Sequence, residues 1–84
     1  MEPYDLKFSA PASKFLLELK LFDRLSLIDL FDRMRAGIIP EEDFGEIALD
    51  GTLISVCLID KFAVSFNEKR EERVIQVFKI ELAD

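Results

Sequence analysis

Few residues in this chain can do acid–base or nucleophilic chemistry. It has no histidine, one cysteine (Cys57) and one tyrosine (Tyr4), so proton transfer would fall to carboxylates or lysines with shifted pKa values, and neither a Ser-Lys nor a paired-acid constellation is recognisable. Cys57 stands in an apolar run, Leu53-Ile54-Ser55-Val56-Cys57-Leu58-Ile59. The reading there is a buried, inert thiol, and a lone cysteine has no internal disulfide partner. A zinc site from protein ligands is nearly excluded by the same residues, so the expectation is no metal and no cofactor. Gly37, Gly45 and Gly51 are too scattered for a phosphate-binding loop. Phe62 and Phe66 share a strand face on which bases could stack, but core packing explains their spacing and no basic groove accompanies them. No residue is assigned as catalytic.

The informative chemistry is charge. Glu41, Glu42, Asp43, Glu46, Asp50 and Asp60 are six acids in a stretch without one Lys or Arg, whereas the rest of the chain carries eleven charges of each sign. The whole net charge of -6 is therefore local. Such a surface repels phosphate backbones, whose binding depends on Lys and Arg. Its plain reading is a solvated acidic loop; its sharper reading is a docking patch, Glu41, Glu42, Asp43 and Glu46, for a basic protein segment. Three adjacent acids lack the alternating spacing and glycine of a calcium loop.

Those acids precede the stretch that specifies the fold most clearly. Residues 53–59 are mostly apolar at both alternating sets, the pattern of a central strand buried on both faces. Residues 62–67 put Phe62, Val64 and Phe66 on one face and Ala63, Ser65 and Asn67 on the other, as in a half-buried strand. Residues 74–82 place Val74, Phe78, Ile80 and Leu82 together, with Ile75 and Val77 giving way to Lys79 and Glu81 on the second face. The charged tip between them, from Asn67 to Arg73, reads as a solvated loop.

Upstream, Tyr4, Leu6 and Phe8 alternate with Asp5 and Lys7 as a short first strand. A helix is predicted over about residues 11–24, opened by Ser9-Ala10-Pro11. A second is predicted over about 26–36, with Ser26 to Asp29 as a capping box, Arg33 and Arg35 in its last turn and Gly37 as its stop. The two form a hairpin joined near Asp23 and give Phe15, Leu19, Phe22, Leu27, Leu30, Phe31 and Met34 to the core. Pro40 to Phe44 is predicted to make one helical turn. Glu46-Ile47-Ala48-Leu49 then meets Thr52-Leu53-Ile54-Ser55 across Asp50-Gly51, a hairpin signal that allows an extra strand.

The expected architecture is α+β, β-α-α-β-β-β, with a helical hairpin packed on a mainly antiparallel sheet of four or five strands. At 84 residues, half of them hydrophobic, residues 1–84 read as a single domain with one modest core. Absence of an apolar span or a signal-like N-terminus leads to the expectation of a soluble cytoplasmic protein without membrane contact.

This order of elements resembles the RelE/ParE family of toxin–antitoxin toxins over most of the chain. Tyr4-Asp5-Leu6-Lys7-Phe8-Ser9 with Ala12 looks like the family's opening strand and first helix, and Asp50-Gly51-Thr52-Leu53 like the approach to its second strand. Phe62-Ala63-Val64-Ser65-Phe66 followed by Glu72-Arg73-Val74-Ile75-Gln76-Val77-Phe78 looks like its final hairpin. The resemblance implies a small module held by an antitoxin. The family's ribonuclease residues do not carry over: an arginine early in the third strand is matched by Ala63, and the C-terminal stretch Lys79-Ile80-Glu81-Leu82-Ala83-Asp84 offers only Lys79. The expectation is thus a module acting by protein contact, with a protein partner that carries a basic segment and without direct nucleic-acid binding. Two alternatives stand beside it: an atypical ribosome-dependent ribonuclease using Lys61, Arg73 or Lys79, and an acidic inhibitor or nucleic-acid mimic that occupies a basic protein.

Overall fold

The computed structural model describes residues 3–83. Met1 and Glu2, which open the N-terminal stretch read above as unlike a signal, and Asp84, which closes the C-terminal stretch, lie outside them. The order of elements is β1 (Asp5–Phe8), α1 (Ala10–Glu18), α2 (Leu21–Arg35), β2 (Phe44–Ile47), β3 (Leu53–Ile59), β4 (Phe62–Lys69) and β5 (Val74–Leu82). The strands form one sheet in the order β1-β5-β4-β3-β2, with β1 parallel to β5 and every other pair antiparallel. The fold is the expected α+β arrangement, with the fifth strand present.

Three hydrogen bonds of Ser9 explain how the chain passes from strand to helix. Its N–H donates to the Val77 carbonyl, its Oγ donates to the Phe78 carbonyl, and that same Oγ accepts from Ala12 N–H at 3.2 Å as the N-cap of α1. Pro11 occupies the first turn, where its missing donor costs nothing. At the far end of α2, Gly37 takes φ 89°, its N–H donates to Met34 O and Ile38 N–H donates to Arg33 O. That pair of bonds is the Schellman closure that the Arg33, Arg35 and Gly37 pattern predicts.

The joint of the hairpin lies elsewhere than predicted. The first helix stops at Glu18 rather than Arg24, because Leu19 and Lys20 are both extended, with ψ 144° and 155°. Arg24 holds this corner: one guanidinium nitrogen donates to Leu19 O at 2.6 Å and to Leu17 O at 3.4 Å, satisfying carbonyls that the helix end leaves orphaned. Ser26 is consequently an interior residue of α2, not a cap, and its hydroxyl reaches Asp60. Phe22 is carried onto the outer surface of α2 at 88% exposure, which removes it from the predicted core. Leu27, Leu30, Phe31 and Met34 are buried as expected, while Phe15 and Leu19 pack against the core partly covered. Edge-on ring pairs Phe8–Phe31 at 5.0 Å and Phe15–Phe62 at 5.9 Å fasten the helices to the sheet.

Two assignments in the sheet are exchanged relative to expectation. β4, third of the five strands, is the one buried on both faces: Phe62 through Phe66 are all buried. β3 lies next to the edge, with only Val56 and Cys57 buried, and Leu53 and Leu58 exposed. Apolar content at both alternating sets does not by itself make a strand central. In β4 the small side chains Ala63 and Ser65 are enclosed by neighbouring strands although they face away from the helices. In β5 the predicted faces fail at a bulge: Ser65 pairs with Lys79 and Phe66 with Val77, so Phe78 is the extra residue. Before it Ile75 and Val77 point to the helices; after it Ile80 does.

Residues 40–44 are not helical. Asp43 ties this segment to β3, its N–H donating to Val56 O at 2.9 Å and its carboxylate accepting from Leu58 N–H at 2.6 Å, and Phe44 begins the edge strand. β2 therefore starts two residues earlier than the predicted Glu46, and Ile47 pairs with Leu53. A turn from Ala48 to Gly51 joins them, with Gly51 at φ 87° and its N–H donating to Ala48 O. β4 runs on to Lys69, which shortens the charged tip to residues 70–73.

Candidate functional site

The acids singled out from the sequence follow β2, β3 and the segments that flank them. Glu41 and Glu42 lie in the extended segment before β2, Asp43 at its start and Glu46 within it, all exposed. Asp50 sits in the β2–β3 turn, where Thr52 N–H donates to its carboxylate and holds its pKa below the usual aspartate value. Asp60 is in the β3–β4 turn, at the opposite end of β3. The acidic stretch thus runs along the β2–β3 border of the sheet, and β2 is an edge strand, its outer backbone unpaired by any described strand. Asp43 differs from Glu41, Glu42 and Glu46: its carboxylate is a tie to β3, a role with no signal in the sequence because its partner, Leu58, is 15 residues away.

Burial pushes the Cys57 thiol up to about 11, with the Asp43 carboxylate adding to the effect. The thiolate, the reactive form, is suppressed. The fold places Cys57 in the core, as the apolar run around it predicts.

The three cations are not brought together. Lys61, in the β3–β4 turn, donates to Asp23 at 2.8 Å, and that bond raises its pKa. Arg73, in the β4–β5 turn at the other end of β4, lies over the Tyr4 ring at 4.5 Å. The length of β4 separates the two turns, about 25 Å at 3.3 Å per residue. Lys79, within β5, pairs with Glu81 at 3.5 Å.

A polar cluster that the sequence did not disclose lies at the β4–β5 end. Tyr4, just before β1 and buried, donates its hydroxyl to Glu68 Oε2 at 2.6 Å, and Arg70 reaches the same oxygen at 3.3 Å. The bond to Glu68 raises the Tyr4 pKa, with burial adding to it. Tyr4 and Glu68 are 64 residues apart, so no local pattern could have linked them. Among the described residues no group of three or more Cys, Asp or Glu side chains converges as a metal site would require. No helix among them is long and apolar enough to cross a membrane.

No protein-family model matches the sequence, and no curated protein matches it. Solved structures do match in shape. The RelE–RelB complex of the archaeon Pyrococcus horikoshii aligns with TM-score 0.75 at 14% identity, covering 95% of this chain and 94% of that one. The toxin–antitoxin complex RelBE2 of Mycobacterium tuberculosis aligns with TM-score 0.67 at 13% identity, over 95% and 98%. The intact Escherichia coli RelBE complex gives 0.53 at 15% identity, over 96% and 98%. Two helices on a five-stranded sheet, matched from end to end in three such chains, give this protein the fold of the RelE toxins.

Proposed function

We propose that this chain is a RelE-like module of a toxin–antitoxin pair, that residues 1–84 form one domain working in the cytoplasm, and that it acts by protein contact rather than by cutting RNA. The partner carries a basic segment that docks on Glu41, Glu42, Asp43 and Glu46. The observation that carries the reading is the end-to-end likeness to three chains whose structures are RelE–RelB or RelBE complexes. Support for contact over cleavage comes from Lys61, Arg73 and Lys79, which lie apart and have interaction partners elsewhere in the fold. An acidic strand edge offers backbone groups for strand addition and a field that draws cations.

The test is capture of binding proteins from the native host and co-expression with any small protein encoded beside this one, together with mapping of ribosome-bound transcripts in a translating extract. A stoichiometric complex of the two proteins and intact transcripts are expected. Codon-specific cuts that vanish in Lys79→Ala would replace this reading with the ribonuclease one. Capture of an unrelated basic protein in place of the encoded neighbour would instead favour an acidic inhibitor.

A further inference from the structure

The outer face of the helical hairpin is apolar and bare. Leu21, Leu25 and Ile28 recur at i, i+4 and i+7 on α2 with Phe22 beside them, and Leu17 joins them from the end of α1. Their exposures are 68%, 51%, 41%, 88% and 76% respectively. On the helical wheel this arc lies opposite Leu27, Leu30, Phe31 and Met34, so it turns directly away from the core. Together these side chains expose on the order of 500 Å² of apolar surface, at the upper end of what a soluble monomer presents. Nothing in the sheet or the acidic border accounts for it.

We infer that this face is a self-association surface, on which α2 of a second copy packs antiparallel across a two-fold axis near Leu25. Two features favour a second copy over the basic partner of the acidic border. One is charge: residues 10–35 carry five cations (Lys14, Lys20, Arg24, Arg33, Arg35) and four anions (Glu18, Asp23, Asp29, Asp32). The hairpin is nearly neutral, so two copies meet there without the repulsion that the acidic border would impose, and it offers a basic segment no net counter-charge. The other is area: a standard interface buries about 800 Å² on each partner, and in homodimers about 65% of it is apolar, which the exposed arc matches. A stripe centred on one residue is also its own complement when reversed, as a two-fold interface requires. Such a dimer leaves β2, on the far edge of the sheet from β1, free for another protein.

Sedimentation velocity of the full chain from low to high micromolar concentration is expected to show a monomer–dimer equilibrium. Phe22→Glu should raise its dissociation constant about thirty-fold or more, as loss of a buried aromatic anchor does. Leu17→Lys serves as a second variant, and both residues are exposed enough for circular dichroism and the melting profile to stay as in the parent. Leu25→Cys adds a thiol at the proposed axis. Oxidised glutathione, taking the two electrons and two protons, should link two such chains, whereas the parent, whose Cys57 is buried, stays unlinked. A chain that sediments as a monomer throughout, with Leu25→Cys left unlinked, overturns the inference. A parent monomer whose binding to the neighbouring gene's product is abolished by Phe22→Glu overturns it too, and assigns the arc to that partner.

Discussion

Ser9 satisfies more of the fold than any other single side chain of its size. One hydroxyl caps α1 and gives the bulge carbonyl of Phe78 its partner, so the start of the helix and the reversal of faces in β5 depend on the same atom. Ser9→Ala should lower the unfolding free energy by about 1–2 kcal/mol, the sum of a lost cap and an unpaired carbonyl, as read from urea titration; Ser9→Thr should recover most of it. Cys57 gives a pH-dependent counterpart. Its folded pKa is raised to about 11 from an ordinary value of 9.0, so the neutral thiol is the form the fold favours. Its contribution is complete below pH 9 and is lost as pH rises toward 11, and the raised pKa of Tyr4 acts in the same direction. Stability measured by urea unfolding should therefore fall across pH 9–11. Cys57→Ala should remove part of that slope, on the order of 2 kcal/mol, and a slope identical to the parent's would mean that Cys57 is better solvated than its burial indicates.

At the scale of elements, Val56 is the sharpest probe of the sheet. It is 2% exposed on the face away from the helices, paired with Phe44 on one side and Ser65 on the other. Val56→Asp buries a carboxylate whose nearest cation in register, Lys79, stands two strands away and is paired with Glu81, and should cost several kcal/mol, enough to unfold a chain of this length. A soluble, cooperatively melting variant would contradict the placement of β3. The elements themselves were readable from the sequence: alternation marked β1 and β4, the Gly37 stop ended α2, and Asp50-Gly51 announced β2. What could not be read were features set by partners distant in sequence. The apolar positions of residues 15–22 fit one continuous helical stripe, and only Arg24 reaching back to Leu17 and Leu19 reveals the corner between them. Likewise the bulge at Phe78 is invisible to a period-two count, because both settings of that count place apolar residues on each face.

The whole molecule separates its surfaces by charge. A nearly neutral apolar arc faces outward on the hairpin, the net charge of -6 is gathered in residues 41–60 along β2, β3 and their turns, and Lys14, Arg33, Arg35, Lys61, Arg70 and Lys79 sit close to counter-ions while Arg73 lies over the Tyr4 ring. The acidic stretch was legible as a patch from composition alone; its placement along an edge strand was not, because that depends on Asp43 pulling residues 40–44 against β3. Glu41, Glu42 and Glu46 are free to meet a partner, whereas Asp43→Asn keeps an acceptor for Leu58 N–H and so leaves the strand in place. Rim charges act mainly on association rate and its salt dependence. The most direct measurement is the association rate constant with the partner that capture yields, against ionic strength, for the parent and for the chain carrying Glu41→Gln, Glu42→Gln, Asp43→Asn and Glu46→Gln. The account predicts slower capture and a flatter salt response in the four-fold variant with its melting profile unchanged; identical rates and slopes in the two proteins would contradict docking through the acidic border.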